Sequence, residues 1–197
     1  MATATTEAVR ERLLSAAAAL FCRDGIHATG VDAILAEAKV ARRSLYQHFG
    51  SKDGLVAAFL ERRDGEWRDW FDRTVAAVAA TPQTRLLRLF DVLATWFRML
   101  SFHGCAFVNA AAETGDPRHP IRAAARRHKE ILRERIEEWA RAAGAADPAA
   151  LARELALLVE GAIVTAMVDP DQPAADTAKA LARLAIERAL RPATEAA

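Results

Sequence analysis

Apolar residues recur along this chain every three or four positions and nowhere alternate for long with period two. The first spacing gathers side chains on one face of a helix; the second would mark a half-buried strand. Val9, Leu13, Ala17, Leu20 and Phe21 form one stripe and predict a helix from about Thr6 to Asp24, stopped at Gly25, which suits a left-handed cap. A short helix is expected over about Val31–Ala38, with Ile34 and Leu35 inward and Thr29 or Gly30 as its N-cap. Val40 falls in a tight turn, and a second short helix, about Arg42–Phe49, ends at Gly50. Ser51 then caps a long helix that carries Leu55, Val56, Phe59, Leu60, Trp67, Trp70, Phe71, Val75 and Val78 to a break at Thr81-Pro82.

The same period continues to the end. Leu86, Leu89, Phe90, Leu93, Trp96, Phe97 and Leu100 predict a helix over about Pro82–Phe102, interrupted at His103-Gly104. A short helix, Cys105–Thr114, stops at the breaker Gly115-Asp116-Pro117. Ile121, Ala125, His128, Leu132, Ile136 and Trp139 share a face between His119 and about Ala143, and Gly144 closes that helix. Asp147 with Pro148 opens the next, which runs to about Met167 before Asp169-Pro170 and Pro173. A last helix, about Ala174–Leu190, carries Leu181, Leu184, Ile186 and Leu190. The expected fold is all-α, with about nine helices and no repeat.

Composition adds limits. Hydrophobic residues make up 52% of 197, enough for a real core. Basic residues number 27 and acidic ones 26, so only a local concentration of charge could engage nucleic acid. Such a concentration exists: between Ala38 and Lys52 the charges are Lys39, Arg42, Arg43 and Lys52, with no carboxylate until Asp53. Cys22 and Cys105 lie far apart without metal-ligand spacing, and five scattered histidines suggest no zinc site. No metal and no cofactor are expected. The opening MATATTEAVRERLL has no apolar run that would mark a signal peptide, and no uncharged apolar stretch of about 18 residues could span a membrane. The expected location is cytoplasmic, with no membrane partner.

Helices as short as those around Ile34 and Leu45 survive only when packed. Joined by a few residues, with the first long helix across them, they make a helix-turn-helix. Leu45 and Phe49, four apart, would hold the second of the pair. Arg42, Arg43, Ser44, Tyr46, Gln47 and His48 are left on the other faces, where a DNA groove could meet them. Arg pairs with guanine O6 and N7, and Gln with adenine N6 and N7. Ser, Tyr and His offer single bonds to phosphate, and Lys52 adds a cation at a helix start. A solvated face on an ordinary bundle is the plainer alternative.

The stretch GIHATGVDAILAEAKVARRSLYQHFGSKDGL, Gly25–Leu55, resembles the DNA-binding domain of the TetR family of bacterial transcriptional repressors. Its specific part is Leu45-Tyr46-x-His48-Phe49-x-Ser51-Lys52-x-x-Leu55, and the likeness covers roughly the first 55 to 60 residues. The resemblance implies a helix-turn-helix DNA-binding domain over 1–50 and a ligand-binding and dimerisation domain over 51–197. It implies that Thr29, Ser44, Tyr46, His48 and Lys52 hold phosphates while Arg42, Arg43 and Gln47 read bases. Two positions depart from the family pattern. Lys39 stands where the turn usually has Gly and must go left-handed at about 1 kcal/mol or find another turn. Ala41 stands where Ser usually caps the recognition helix, a loss of order 1 kcal/mol.

In the remainder, Trp70, Phe71, Trp96, Met99, Phe102 and Phe107 gather on the middle helices, where the family keeps its ligand cavity. Core packing and ligand lining both stand as readings. Asn109 and Glu113 share a face of an apolar helix, and His128 sits on an apolar stripe; buried, each would need a partner, which a ligand could be. Glu160 could equally face a second subunit. The last two helices, about 147–168 and 174–190, are rich in Ala with Gly161 mid-helix, which suits close approach in a homodimer interface or within the core. No phosphate loop, GxSxG or HExxH is present, so an enzyme is not expected. The expected function is a homodimeric repressor on a pseudo-palindromic double-stranded DNA operator, released by a small, largely apolar effector. The alternatives are a helical small-molecule-binding or enzymatic protein without DNA function, and a DNA-binding protein with no ligand.

Overall fold

Turn residues and caps divide the chain where the sequence suggests, with one instructive exception. The computed structural model describes residues 2–191. Among them lie nine helices and no strand: α1 (Ala2–Asp24), α2 (Val31–Ala38), α3 (Arg42–Phe49), α4 (Lys52–Val78), α5 (Pro82–Phe97), α6 (Ala106–Ala112), α7 (Pro120–Ala142), α8 (Pro148–Val168) and α9 (Ala174–Ala189). The fold is all-α, as expected. Ser51 caps α4 by accepting from the Gly54 N–H at 3.0 Å. Thr81 and Thr84 form a reciprocal capping box with Pro82 in the first turn of α5. Asp147 accepts from the Ala150 N–H at 2.9 Å, ahead of Pro148.

The chain forms two compact units, which do not divide at residue 50. One comprises the chain up to Glu66 together with Cys105–Arg126; the other comprises Trp67–Gly104 and the chain from Arg127 on. In the first, α1 packs on α2 and α3. Leu13, Ile34, Leu45 and Leu55 are wholly buried, and Phe21 meets Phe59 edge to face at 5.4 Å. The first turn of α4 comes so close to the end of α3 that a Cβ on Gly54 would lie 2.0 Å from the Phe49 carbonyl oxygen. Only glycine fits there.

In the second unit, α8 packs on α9 and both meet α5. Leu86, Leu89, Phe90, Leu93, Leu151 and Leu155 fill that core. The small residues Ala174, Ala175, Ala178 and Ala182 form the buried stripe of α9 together with Ile186, and small side chains let helices approach closely.

One expectation is corrected here. The helix begun at Pro82 ends at Phe97, not Phe102. Beyond it the bonds tighten to Met99 N–H on Trp96 and Phe102 N–H on Met99, and Leu100 is fully exposed. Gly104, at φ +80°, sits where a Cβ would be 2.3 Å from the Met167 sulfur, so glycine suits that turn. On α9, Leu181 and Leu184 are exposed.

Candidate functional site

The turn between α2 and α3 is built on Lys39. Its φ of 53° and ψ of 50° are left-handed. The Lys39 N–H donates to the Ala36 carbonyl and the Val40 N–H to the Leu35 carbonyl. That pair of bonds is a Schellman motif, which usually places Gly at the left-handed position. The chain therefore accepts the strained conformation and keeps the tight turn. Neither short helix has a side-chain N-cap: Gly30 precedes α2, and Ala41 precedes α3.

Eight residues of α3 fall into four pairs spaced by one turn, and each pair has a separate environment. Leu45 is wholly buried; Phe49 is half-buried, with the Arg10 guanidinium 5.5 Å from its ring centre. Ser44 and His48 are half-buried at the flank. Arg42 and Tyr46 are exposed one turn apart, and Arg42 pairs with Asp32 of α2. The Tyr46 side chain first, and the Asp32 charge second, hold the Arg42 pKa above its ordinary value, so it stays cationic. Arg43 and Gln47 are exposed, and among the described residues Arg43 has no ion-pair partner. One open face thus carries a bidentate donor for guanine and a bidentate group for adenine.

Two expected phosphate ligands are placed differently. Thr29 is buried, and its hydroxyl donates to the Gly25 carbonyl at 2.6 Å, so it shapes the loop before α2. Lys52 is half-buried and donates to the Ile26 carbonyl at 2.6 Å. Asp32 was missed in sequence because it lies on the preceding helix, outside the acid-free stretch.

The residues expected to line an effector cavity fall in both units. Trp70, Phe71, Trp96, Met99, Phe102 and His128 belong to the second unit, whereas Phe107, Asn109 and Glu113 belong to the first. Met99 is exposed in the turn after α5. Glu113 is exposed rather than buried, and its carboxylate accepts from the N–H groups of Ile26 at 3.0 Å and His27 at 2.5 Å. Within the second unit a shallow cleft of about 20 Å³, room for about one water molecule, is lined by Trp67, Arg68, Phe71, Asp72, His128, Ile131, Leu132 and Arg135. Trp67 stacks on Phe71 at 4.8 Å and meets His128 edge-on at 5.2 Å. Phe71 continues the stack to Trp139 at 6.2 Å, while Trp96 meets Trp67 at 6.1 Å and Phe102 at 5.0 Å. The Trp67 indole N–H is buried without a partner. Among the described residues no cluster of His, Cys, Asp and Glu could hold a metal ion, and no helix is long and apolar enough to cross a membrane.

Residues 13–59 match the family model described as bacterial regulatory proteins, tetR family, and residues 82–182 match that of the tetracyclin repressor-like C-terminal domain. The chain belongs to the TetR family. It is similar to the solved structure of SCO4454, a TetR-family transcriptional regulator from Streptomyces coelicolor, with a TM-score of 0.86 and 30% identity over 94% of this chain and 97% of that one. A TetR-type regulator from Streptomyces avermitilis gives a TM-score of 0.73 and 34% identity, covering 89% of this chain and 98% of that one. The HTH-type transcriptional repressor SCO4008 of Streptomyces coelicolor is 34% identical over 100 residues, 45% of this chain and 51% of that repressor. The chain thus spans about half the length of that relative. TetR membership extends over both the helix-turn-helix and the C-terminal helices, which sequence motifs alone could not reach.

Proposed function

We propose that the chain is a transcriptional repressor that binds a pseudo-palindromic DNA operator as a homodimer and leaves it when a small, largely apolar effector binds. It acts in the cytoplasm and catalyses no reaction. The observation that carries this is the open face of α3, where Arg43 and Gln47 stand exposed one turn apart over a pinned Leu45. In a helix-turn-helix that face enters the major groove. Ser44, Tyr46 and His48 flank it as phosphate donors. DNA contact belongs to residues 1–50, with the remainder serving effector binding and dimerisation.

An exposed apolar face supports the dimer. Leu157, Val164 and Val168 of α8 lie on one side with Gly161, and Leu181 and Leu184 of α9 are exposed as well. Such a patch on a single chain marks an interaction surface, and a two-fold axis would bury it against its own copy. Half-sites would then lie about 10 bp or a multiple of it apart. The aromatic stack of Trp67 and Phe71 supports the effector reading: it borders a small cleft shared with Arg68, Asp72 and Arg135, and the unpartnered indole N–H would take one hydrogen-bond acceptor.

The test is selection of duplexes from a random pool by the purified protein, followed by a salt titration on the winner. The expected result is a palindromic consensus whose affinity falls steeply as salt rises. Recovery of no consensus would reject the reading.

A further inference from the structure

The loop Gly25–Thr29, which leads from α1 into the helix-turn-helix, is held from three sides. Glu113, just past the end of α6, accepts from the Ile26 and His27 N–H groups across 87 and 86 residues of chain. Lys52, in the first turn of α4, donates to the carbonyl of the same Ile26. Thr29 donates to the Gly25 carbonyl. A carboxylate and an ammonium thus grip opposite ends of consecutive peptide groups, an arrangement in which each bond polarises the next. The grip fixes the course of the chain into α2, whose own start at Gly30 has no side-chain cap to set it. Glu113 is itself held: the Arg122 guanidinium donates twice to the Thr114 carbonyl, at 3.1 and 2.8 Å, and the Thr114 hydroxyl donates to Ala110.

We propose that Glu113 is a positioning residue for DNA binding, setting the entry loop of the helix-turn-helix from a segment remote in sequence. The inference rests on the DNA-binding reading above. Its sign separates it from a mere charge effect. Removing a carboxylate near DNA lowers repulsion and tightens binding to any duplex. Removing a positioning carboxylate weakens binding to the selected duplex and leaves binding to unrelated DNA unreduced.

Full-length Glu113→Ala and Glu113→Gln are compared with the parent on the pool-selected duplex and on poly(dI-dC), with amide hydrogen exchange read at Ile26 and His27. Charge-assisted bonds at an exposed site set the scale. For Glu113→Ala the expected loss on the selected duplex is about threefold to tenfold, with no loss on poly(dI-dC) and faster exchange at both amides. Glu113→Gln, which keeps one acceptor oxygen, should fall between. Equal or tighter binding of the selected duplex by Glu113→Ala, or unchanged exchange at both amides, overturns the proposal. A parallel loss on both DNAs, following a drop in melting temperature, also overturns it. If the parent selects no duplex, the DNA-binding reading fails instead, and the exchange measurement still decides whether Glu113 holds the loop.

Discussion

Arg42, at the start of the recognition helix, pairs with Asp32 at the start of the helix before it. The pair spans the turn and joins the two helices of the motif at one end. It also occupies a cation that would otherwise face DNA. With side chains 55% and 83% exposed, the pair is screened by solvent and holds the two helices only weakly. It is weak enough for a phosphate or a guanine to replace it.

Asp32→Asn should therefore raise affinity for DNA, by about two- to fivefold at low salt, since it frees Arg42 and removes a negative charge beside the groove-facing surface. Fluorescence anisotropy on selected and unrelated duplexes checks this. A loss of affinity would mean that the pair orients Arg42 for contact.

Lys39→Gly should stabilise the chain by about 1 kcal/mol, because φ +53° costs an L side chain what it does not cost glycine. Lys39→Ala, with the same strain, should not. Ala41→Ser should add about 1 kcal/mol as well, because φ −73° and ψ 149° already suit an N-cap. Chemical denaturation of the three variants measures both.

Leu157→Asp and Val164→Asp should yield monomers that keep their helicity, since both side chains are exposed in the single chain. Gly161→Leu should do the same: a Cβ there meets nothing within 4 Å in one chain, so any clash comes from a second copy. Light scattering gives the mass. Dimers in all three variants would move the interface off α8.

Asp91 of α5 predicts part of the acid sensitivity. Burial pushes its pKa up, but the hydrogen bonds from Lys179 of α9 and Arg88 outweigh burial and hold it below its ordinary value of 3.8. The folded pKa is thus the lower one. The associated stability is present above pH 3.8 and is lost as pH falls through the folded value. Asp91→Asn should be less stable than the parent at pH 6, with the difference shrinking below pH 4 as Asp91 is protonated. Denaturation midpoints at the two pH values show it; a constant difference would contradict it.

Much of this was legible from local pattern. The 3.6-residue period placed nine helices, and Gly25, Gly50, Thr81-Pro82 and Asp147-Pro148 placed their ends, because capping and turn chemistry act within a few residues. Lys39 and Ala41 were readable as a strained turn and a missing cap for the same reason. The misses are contacts between distant segments. Asp32 reaches Arg42 only through the folded turn, and Glu113 reaches Ile26 only after the 105–126 segment joins the DNA-binding unit. Leu100 continues the apolar period of α5 in sequence but lies exposed in the turns after Phe97. Leu181 and Leu184 fit either core or interface in the sequence, which does not distinguish a face buried inside one chain from a face left open; they are exposed in the single chain.

The most direct test of the open face of α3 is the double variant Arg43→Ala, Gln47→Ala on the duplex selected by the parent. The predicted result is a loss of at least about 30-fold there, as two bidentate base contacts at about 1–3 kcal/mol each disappear, with unchanged mass, melting temperature and poly(dI-dC) binding apart from a small charge effect. Unchanged affinity and unchanged sequence preference would contradict the assignment of Arg43 and Gln47 as base readers.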